Sequence, residues 1–197
     1  TPSADHRPAR ARRTMTIRFG TDGVRGPVNT QITAEVALAV GRATARVFAA
    51  DRVVIGRDTR LSGSMLEAAV AAGVTSEGAD AVLLGVVPTP AVAVVSFRDG
   101  VPGVVISASH NPFRDNGLKV FAPGGRKLSD DEQSAVEAAI AAVAAGASPS
   151  VDGENVGVVR SDPGALDSYA TALIDTLGGR DLRGKRIVLD SANGANT

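Results

Sequence analysis

The stretch RVVIGRDTRLSGSMLEAAVAAGVTSEGADAVLLGV, residues 52–86, sets a helical pattern between two short apolar runs. The first run, 52–56, is rich in β-branched residues and ends in glycine, as a buried strand often does. Apolar residues then recur at every fourth position, which is the spacing of one face of a helix. The second run, 81–86, completes a strand–helix–strand unit. This order predicts two parallel strands joined by a crossover helix.

The same alternation extends in both directions from this unit. One helix is predicted to begin after Thr33, which suits the N-cap position. Another begins at Ser129, where Ser129 and Glu132 have the spacing of a capping box, and Ser64 and Glu67 have that spacing at the start of the central helix. The remaining predicted elements near the middle of the chain are a short helix at 91–97, a strand at 104–106, and a hairpin of 118–121 with 126–128.

These elements predict a three-layer α/β/α domain whose mixed, mostly parallel sheet is covered by helices on both faces. We place this domain at residues 15–145, after a disordered tail at 1–14. Residues 146–184 are expected to form a linker and a connecting helix. The apolar run 185–190 predicts a strand, so that 185–197 would begin a second α/β domain. Because the chain stops one turn after this strand, we expect the second domain to be truncated.

Composition excludes several classes of function. The 197 residues include 21 basic and 21 acidic side chains, two His and no Cys, which excludes a disulfide scaffold and thiolate zinc sites. The balanced charge and an aromatic content of 3% argue against nucleic-acid binding. No stretch approaches the roughly 18 apolar residues of a membrane span. We therefore expect a cytoplasmic protein that binds neither nucleic acid nor membrane.

Two polar loops, 56–63 and 107–116, follow predicted parallel strands. The carboxyl ends of such strands meet at one edge of a sheet, where ligands bind in α/β folds. The second loop brings the Ser109 hydroxyl beside His110 and Asn111, side chains that can donate to phosphate oxygens. On these residues alone, a Ser/Asn-rich turn is an equally good interpretation. An acyl-transfer Ser/His pair is a weaker one, because triad partners come from distant segments.

Three further cationic side chains lie in distinctive contexts. Arg25 belongs to FGTDGVRG, residues 19–26, where glycines allow close backbone approach and an arginine can clamp phosphate. Arg57 belongs to the first polar loop, for which a structural Asp–Arg network is an adequate interpretation. Lys119 begins a predicted strand after the second loop. Taken singly, each is as readily explained as a solvated or structural charge.

Together and in this order, these clusters resemble the α-D-phosphohexomutase family. The sequence ASHNP at 108–112 is similar to the phosphoserine loop of that family, Arg25-Gly26 to its amino-terminal Arg-Gly motif, and GRDTR at 56–60 to its Gly-Arg-Asp-Thr-Arg run. Within the family, residues 19–26 and 106–113 look most like the bacterial members that act on glucosamine phosphates. The resemblance extends over almost the whole chain.

The resemblance implies a phosphoryl-transfer reaction. Ser109 would donate a phosphoryl group to glucosamine 6-phosphate and take back the 6-phosphate of the resulting bisphosphate. The product, glucosamine 1-phosphate, lies on the route to UDP-N-acetylglucosamine. Lys119 would transfer protons or stabilise the phosphoryl oxygens, and His110 would act beside Ser109. Covalent phosphorylation splits one difficult migration into two in-line transfers.

The resemblance also assigns supporting roles to four residues. Arg25 would hold the phosphoserine, and Arg57 would contribute to phosphate binding. Asn111 would support the loop and contribute to phosphate or substrate binding. Ser107 would also contribute to substrate binding, since it lies where the family tunes which sugar is accepted. The resemblance also allows the complete protein to form a homodimer.

Mg²⁺ is the cofactor that the family implies, with the phosphate on Ser109 as one ligand. The family's other ligands come from an Asp-x-Asp-x-Asp-Arg run, and no two aspartates at a spacing of two occur in this sequence. One phosphate oxygen is a poor site for a hard octahedral ion. We therefore expect an amino-terminal part of a mutase that does not turn over by itself.

Two alternatives remain open at this point. The chain could belong to a phosphomannomutase/phosphoglucomutase that acts on glucose or mannose phosphates. It could also be a non-catalytic module that binds phosphosugars and has kept the serine loop.

Overall fold

The computed structural model describes Phe19 and residues 23–195. The predicted tail at 1–14 and residues 20–22 of the first glycine-rich cluster lie outside the described residues. The elements, in chain order, are β1 (Val24–Pro27), α1 (Ala34–Val47), β2 (Arg52–Arg57), α2 (Gly63–Thr75), β3 (Asp80–Val86), α3 (Thr89–Asp99), β4 (Gly103–Ile106), β5 (Asp115–Ala122), β6 (Arg126–Lys127), α4 (Asp130–Ala144), β7 (Val159–Ser161) and α5 (Ala165–Asp175).

The strands form one mixed sheet with the order β1-β5-β4-β2-β3-β7. The short strand β6 pairs with the end of β5 that extends past β1. β4, β2, β3 and β7 are parallel neighbours, whereas β5 is antiparallel to each of its three partners. Among the described strands, β5 is therefore the one that runs against the rest. This confirms the predicted mixed, mostly parallel sheet.

Helices cover both faces of the sheet, as predicted. One apolar cluster joins the sheet to α1, α2 and α4, with Ile55, Leu66, Val40 and Ile140 fully or almost fully buried. A second cluster on the opposite face joins it to α3 and α5. Burying an aliphatic side chain of this size stabilises a fold by about 1.5–3 kcal/mol. The chain thus forms three layers around two apolar interfaces.

Two of the predicted helix starts are confirmed. The Thr33 side chain accepts a hydrogen bond from the Val36 amide at 3.3 Å, and Ser129 and Glu132 form both bonds of a capping box. The capping box predicted at Ser64 is wrong. The helix begins at Gly63, without a side-chain cap, because the Glu67 carboxylate pairs with the Arg57 guanidinium instead.

The predicted strand at 185–190 is also corrected. These residues are exposed and belong to no strand. A strand needs a hydrogen-bonded neighbour, and the described part of the chain supplies none there. Conversely, the short strand β7 was not predicted, since its three residues carry no clear alternation. The second α/β domain stays a prediction.

A buried carboxylate fastens the segment after α4 to the helical layer. Glu77 accepts hydrogen bonds from Arg42 Nε at 2.5 Å and Arg46 Nε at 2.7 Å, and also from the amide and hydroxyl of Ser150. Arg42 also donates to the Ala147 carbonyl at 2.9 Å. Burial by itself raises the pKa of Glu77, but the hydrogen bonds from Arg46, Ser150 and Arg42 outweigh it and lower the pKa to about 2.

Glu77→Gln should therefore destabilise the fold in a pH-dependent way. Because the pKa of Glu77 is lower in the folded chain than its ordinary value of 4.5, its stabilisation is present above that value and is lost as pH falls toward 2. We expect a loss of about 2 kcal/mol in the free energy of unfolding near pH 7, shrinking near pH 3. Urea unfolding at both pH values measures this, with exposed Glu154→Gln as the control. An equal loss at both would contradict the role of the charge.

Candidate active site

The two predicted polar loops meet at one edge of the sheet. The Asp58 amide, directly after β2, donates to the Ile106 carbonyl at 3.0 Å, and the Ser107 amide, directly after β4, donates to the Gly117 carbonyl at 3.0 Å. These bonds continue the pairing of β2 with β4 and of β4 with β5 past the ends of the strands. We call residues 107–114 the serine loop. Its position at the carboxyl ends of β4 and β2 is the one where α/β folds bind ligands.

Ser109 is exposed at this edge and has an unusual backbone. Its φ is +53°, in the left-handed region that residues other than glycine seldom occupy. This conformation costs on the order of 1–2 kcal/mol, so other contacts must hold it. Ser109 Oγ lies 3.4 Å from His110 Nδ1. The strained backbone therefore presents a hydroxyl beside an imidazole.

The side chain of Arg60 binds the backbone of the serine loop. Its guanidinium group uses every N–H that it has, in five hydrogen bonds, and four of the acceptors are backbone carbonyls of the loop and of the first residue of β5. The bonds run from Nη2 to Ser109 O at 2.8 Å and Asn111 O at 2.9 Å, from Nη1 to Pro112 O at 2.7 Å and Asp115 O at 3.0 Å, and from Nε to Asp58 Oδ2 at 3.0 Å.

Asp58 links this guanidinium to the amide side of the loop. Its carboxylate accepts from the Arg60 amide at 3.0 Å and from the Ser107 hydroxyl at 2.7 Å. Ser107 Oγ in turn accepts from the Ser109 amide at 3.1 Å. The amide and the carbonyl of Ser109 are thus both connected to the Asp58–Arg60 pair.

Asn111 closes the far side of the loop. Its side-chain amide donates to Asp115 Oδ2 at 3.0 Å, and its backbone amide donates to the Ala108 carbonyl at 3.1 Å. The predicted role of Asn111 in the site stays a prediction. Its side chain is occupied by Asp115, so the Asn111 contacts shape the turn.

Arg25 reaches the same region from the edge strand β1, where it pairs with Gly117. A Cβ at Gly117 would lie 2.9 Å from Arg25 Cγ and 2.6 Å from the Ser107 carbonyl oxygen. Glycine is therefore required for the arginine to pass beside Ser107. Arg25 Nε is buried and has no hydrogen-bond partner among the described residues. A buried charged donor without an acceptor is costly, so an anionic ligand would stabilise it.

The two other predicted cations, Lys119 and Arg57, each contact a side chain of their own. Lys119 pairs with Val105 in the β4–β5 ladder, and its ammonium lies 5.2 Å from the centre of the Phe121 ring, within cation–π range. Arg57 Nε donates to Glu67 Oε2 at 3.1 Å. Since paired residues and residues two apart in a strand share a face, Arg25 and Lys119 lie on the same face of the sheet.

The described residues form neither a cluster of metal ligands nor a membrane-spanning helix. Across Phe19 and residues 23–195, no group of three or more His, Asp or Glu side chains could hold a metal ion. Asp58, the carboxylate nearest to Ser109 in the hydrogen-bond network, is already occupied by Ser107 and Arg60. Within the same ranges no helix is both long and apolar enough to cross a membrane.

The sequence did not reveal the roles of Asp58, Arg60 and Asp115 in shaping the serine loop. The signal for the first two was the run GRDTR at the end of a strand, which was interpreted only as a general Asp–Arg network. No pattern in the sequence indicates that the Arg60 side chain lies beneath a loop 49 residues further along the chain.

The chain is similar to a well-defined group of proteins. Residues 16–146 match the family model described as phosphoglucomutase/phosphomannomutase, alpha/beta/alpha domain I. A phosphoglucosamine mutase of Hyphomonas neptunium is 50% identical over 185 residues, which are 90% of this chain and 40% of that protein. One of Rhodococcus opacus is 48% identical over 184 residues, 90% of this chain and 41% of that protein. The chain thus spans about 40% of the length of these relatives.

A solved structure shows the same architecture. A phosphoglucomutase/phosphomannomutase family protein from Burkholderia thailandensis superimposes with a TM-score of 0.65 at 27% identity. The match covers 86% of this chain and 36% of that one. The similarity therefore includes most of the three-layer domain.

Proposed function

Because the chain belongs to the phosphoglucomutase/phosphomannomutase family, we propose that it supplies the phosphoserine side of a phosphoglucosamine mutase. That enzyme would interconvert glucosamine 6-phosphate and glucosamine 1-phosphate, with Ser109 as the carrier of the phosphoryl group. The observation that carries the proposal is the exposed Ser109 hydroxyl, held in a left-handed backbone at the ligand edge of the sheet. The identity of 48–50% to phosphoglucosamine mutases supports the amino sugar as substrate.

In the first step, the 1-hydroxyl of glucosamine 6-phosphate attacks the phosphorus of phosphorylated Ser109. A P–O bond to the sugar forms, the P–O bond to Ser109 Oγ breaks, and the proton lost by the sugar is balanced by one gained at Oγ. The product is glucosamine 1,6-bisphosphate. After the bisphosphate reorients in the site, Ser109 Oγ attacks the 6-phosphate. A P–O bond to Oγ forms, the P–O bond to the sugar O6 breaks, and the proton lost by Oγ is balanced by one gained at O6, so that glucosamine 1-phosphate leaves. Each step is a single in-line transfer to a positioned acceptor.

Arg25 is suited to hold the phosphate on the serine loop. Its buried Nε has no acceptor among the described residues, and its side chain passes beside Ser107. A phosphate oxygen would supply the missing acceptor, and a charge-assisted hydrogen bond of this kind is worth more than a neutral one. We assign Arg25 as the phosphate-binding residue.

His110 and Lys119 are the groups we propose for proton movement and charge stabilisation. His110 Nδ1 lies 3.4 Å from Ser109 Oγ, and this distance would shorten when the loop carries substrate. Lys119 shares a face of the sheet with Arg25 and would supply a second positive charge. Ser107 orients the Ser109 amide, and through this amide it would influence which sugar is accepted. Arg57 would contribute to phosphate binding. Its pair with Glu67 would hold it at the start of the first polar loop.

Phe19 and residues 23–195 do not by themselves make a Mg²⁺ site. The described residues contain no cluster of three His, Asp or Glu side chains, and a hard octahedral ion needs several oxygen ligands. A phosphate on Ser109 would contribute one ligand at most here. No step above is therefore routed through a metal ion, although members of the family are generally Mg²⁺-dependent.

The proposal is tested on the protein expressed from its full coding sequence. Glucosamine, glucose and mannose 6-phosphates are supplied side by side with the matching bisphosphate primer, and the 1-phosphates are quantified. We expect glucosamine 6-phosphate to give the highest kcat/KM, by about 10-fold or more. Preference for glucose or mannose phosphate would favour a phosphomannomutase/phosphoglucomutase. Binding of phosphosugars without any turnover would favour the non-catalytic module.

A further inference from the structure

We propose that Arg60 is the positioning residue of the serine loop, because its guanidinium group fixes Ser109 in the left-handed conformation that presents the hydroxyl. The inference deepens the proposed function and rests on Ser109 being its reactive group. Its structural part, the control of the Ser109 backbone by Arg60, can be measured separately from any phosphoryl transfer.

The guanidinium group of Arg60 has its full number of hydrogen bonds. A guanidinium group has five N–H donors in a rigid planar fork. In Arg60 all five are used, and four of them bind carbonyls that lie within the seven positions 109–115. Four carbonyls that converge on one cation force the backbone to wrap around it. The fold of the loop and the position of Arg60 therefore determine each other.

The backbone of Ser109 is strained, because its φ is +53°. A residue other than glycine keeps a positive φ only when its surroundings over-determine it. Here the Ser109 carbonyl accepts from Arg60 directly, at 2.8 Å, and its amide is tied to Asp58 through the Ser107 hydroxyl. Asp58 in turn pairs with Arg60 Nε at 3.0 Å. The amide and the carbonyl of Ser109 are thus both connected to the Asp58–Arg60 ion pair.

Arg60 differs from the proposed phosphate-binding cations in its surroundings. Its side chain is 11% exposed, its donors are all occupied, and its charge faces the Asp58 carboxylate. It therefore has no donor left for a phosphate oxygen, in contrast to Arg25, whose buried Nε has no acceptor among the described residues. Arg60 acts through the loop and does not touch the reacting atoms.

Substitution of Arg60 by lysine separates the role of its charge from that of its planar shape. A lysine at position 60 would keep the positive charge but offers three donors on one nitrogen, without the planar fork. It cannot span four carbonyls and a carboxylate at once. If charge were the essential property of Arg60, lysine would serve. If the fork is essential, Arg60→Lys should release the loop almost as fully as Arg60→Ala.

The experiment measures the Ser109 backbone by NMR in the 197-residue chain. A strong intraresidue amide–Hα cross-peak marks a positive φ, because the two protons then lie close together. We expect this cross-peak in the wild type, its loss in Arg60→Lys and Arg60→Ala, and its return in Arg60→Ala when millimolar guanidinium is added but not methylammonium. Arg46→Lys is the matched control, since Arg46 also pairs with a carboxylate and lies outside the serine loop.

A functional readout accompanies the spectrum, using the protein expressed from its full coding sequence. Misplacing a reacting group slightly can cost up to about 100-fold in rate. We expect Arg60→Lys to lower kcat by about 10- to 100-fold with KM changed less than about threefold, because substrate contacts remain. Arg46→Lys should leave both values near those of the wild type.

The results that would overturn the proposal are distinct. A positive-φ cross-peak retained in both Arg60 variants would show that the loop does not need the guanidinium. Loss of the cross-peak in Arg46→Lys as well, or unfolding of the entire domain in Arg60→Lys, would show a general effect on stability. If wild-type Ser109 never carries phosphate, the proposed function fails, while the NMR comparison still decides the role of Arg60.

Discussion

Ser109→Ala should reduce turnover of the protein expressed from its full coding sequence by about 10⁴-fold or more. Removing the nucleophile of a covalent mechanism removes both transfer steps, since no other hydroxyl in the loop takes its place. Ser107 is the nearest alternative, but its Oγ donates to Asp58 and accepts from the Ser109 amide. Production of the sugar 1-phosphate, followed in a coupled assay, measures the loss.

Ser109→Gly is the matched variant for this prediction. Glycine adopts a φ of +53° without steric cost, so the variant should fold at least as stably as the wild type. It should nevertheless be as inactive as Ser109→Ala. A loop that stays folded and loses activity identifies the missing hydroxyl as the cause. Turnover within about 10-fold of the wild type in Ser109→Gly would contradict the assignment of Ser109 as phosphoryl carrier.

Gly73→Val should have the largest effect on stability, lowering the free energy of unfolding by about 3 kcal/mol. Helices α1 and α2 approach closely at two glycines. A Cβ at Gly73 would lie 2.2 Å from the Leu38 carbonyl oxygen, and one at Gly41 would lie 2.2 Å from the Val70 carbonyl oxygen. Both obstacles are backbone atoms, so the helices must separate to admit a side chain. The cost of that separation exceeds the small gain in helix propensity from replacing glycine.

Ala72→Val is the control for Gly73→Val, because Ala72 is exposed on the same helix. It should cost only a few tenths of a kcal/mol, from the lower helix propensity of valine. Thermal unfolding should place Gly73→Val about 10 °C below the wild type and Ala72→Val within about 2 °C of it. Equal shifts for the two variants would show that the α1–α2 contact is not as tight as the structure has it.

The fold was largely predictable because its elements depend on local patterns. The apolar run 52–56, the hairpin turn at 123–125 and the capping box at Ser129 each determine their structure through near neighbours. The start of α2 was mispredicted for the opposite reason. Glu67 has the spacing of a capping box, yet it is 8% exposed and pairs with Arg57, a partner that is brought near by the fold and not by helical spacing.

The apolar run 185–190 illustrates the same limit. Its composition favours a strand, but a strand forms only where another strand can pair with it, and Val188 and Leu189 stay exposed. Pattern alone reports the propensity of a segment. It does not report which neighbour the segment will have.

The candidate site was predictable only in part. Ser109, His110 and Asn111 are adjacent in sequence, so a single motif indicated them. Asp58 and Arg60 belong to the site through side-chain contacts with a distant loop, and such contacts follow from the three-dimensional arrangement of β2 and β4. Sequence motifs thus indicated the proposed reactive group, whereas its contacts with Asp58 and Arg60 are seen only in the structure.

The most direct test of the central claim is the location of phosphate on the protein. The protein expressed from its full coding sequence is purified without phosphatase treatment, incubated with glucosamine 1,6-bisphosphate, digested and sequenced by tandem mass spectrometry. We expect one phosphoryl group on Ser109, and none in the same digest of Ser109→Ala. A protein that carries no phosphate, or carries it on another residue while Ser109 stays unmodified, would contradict the account.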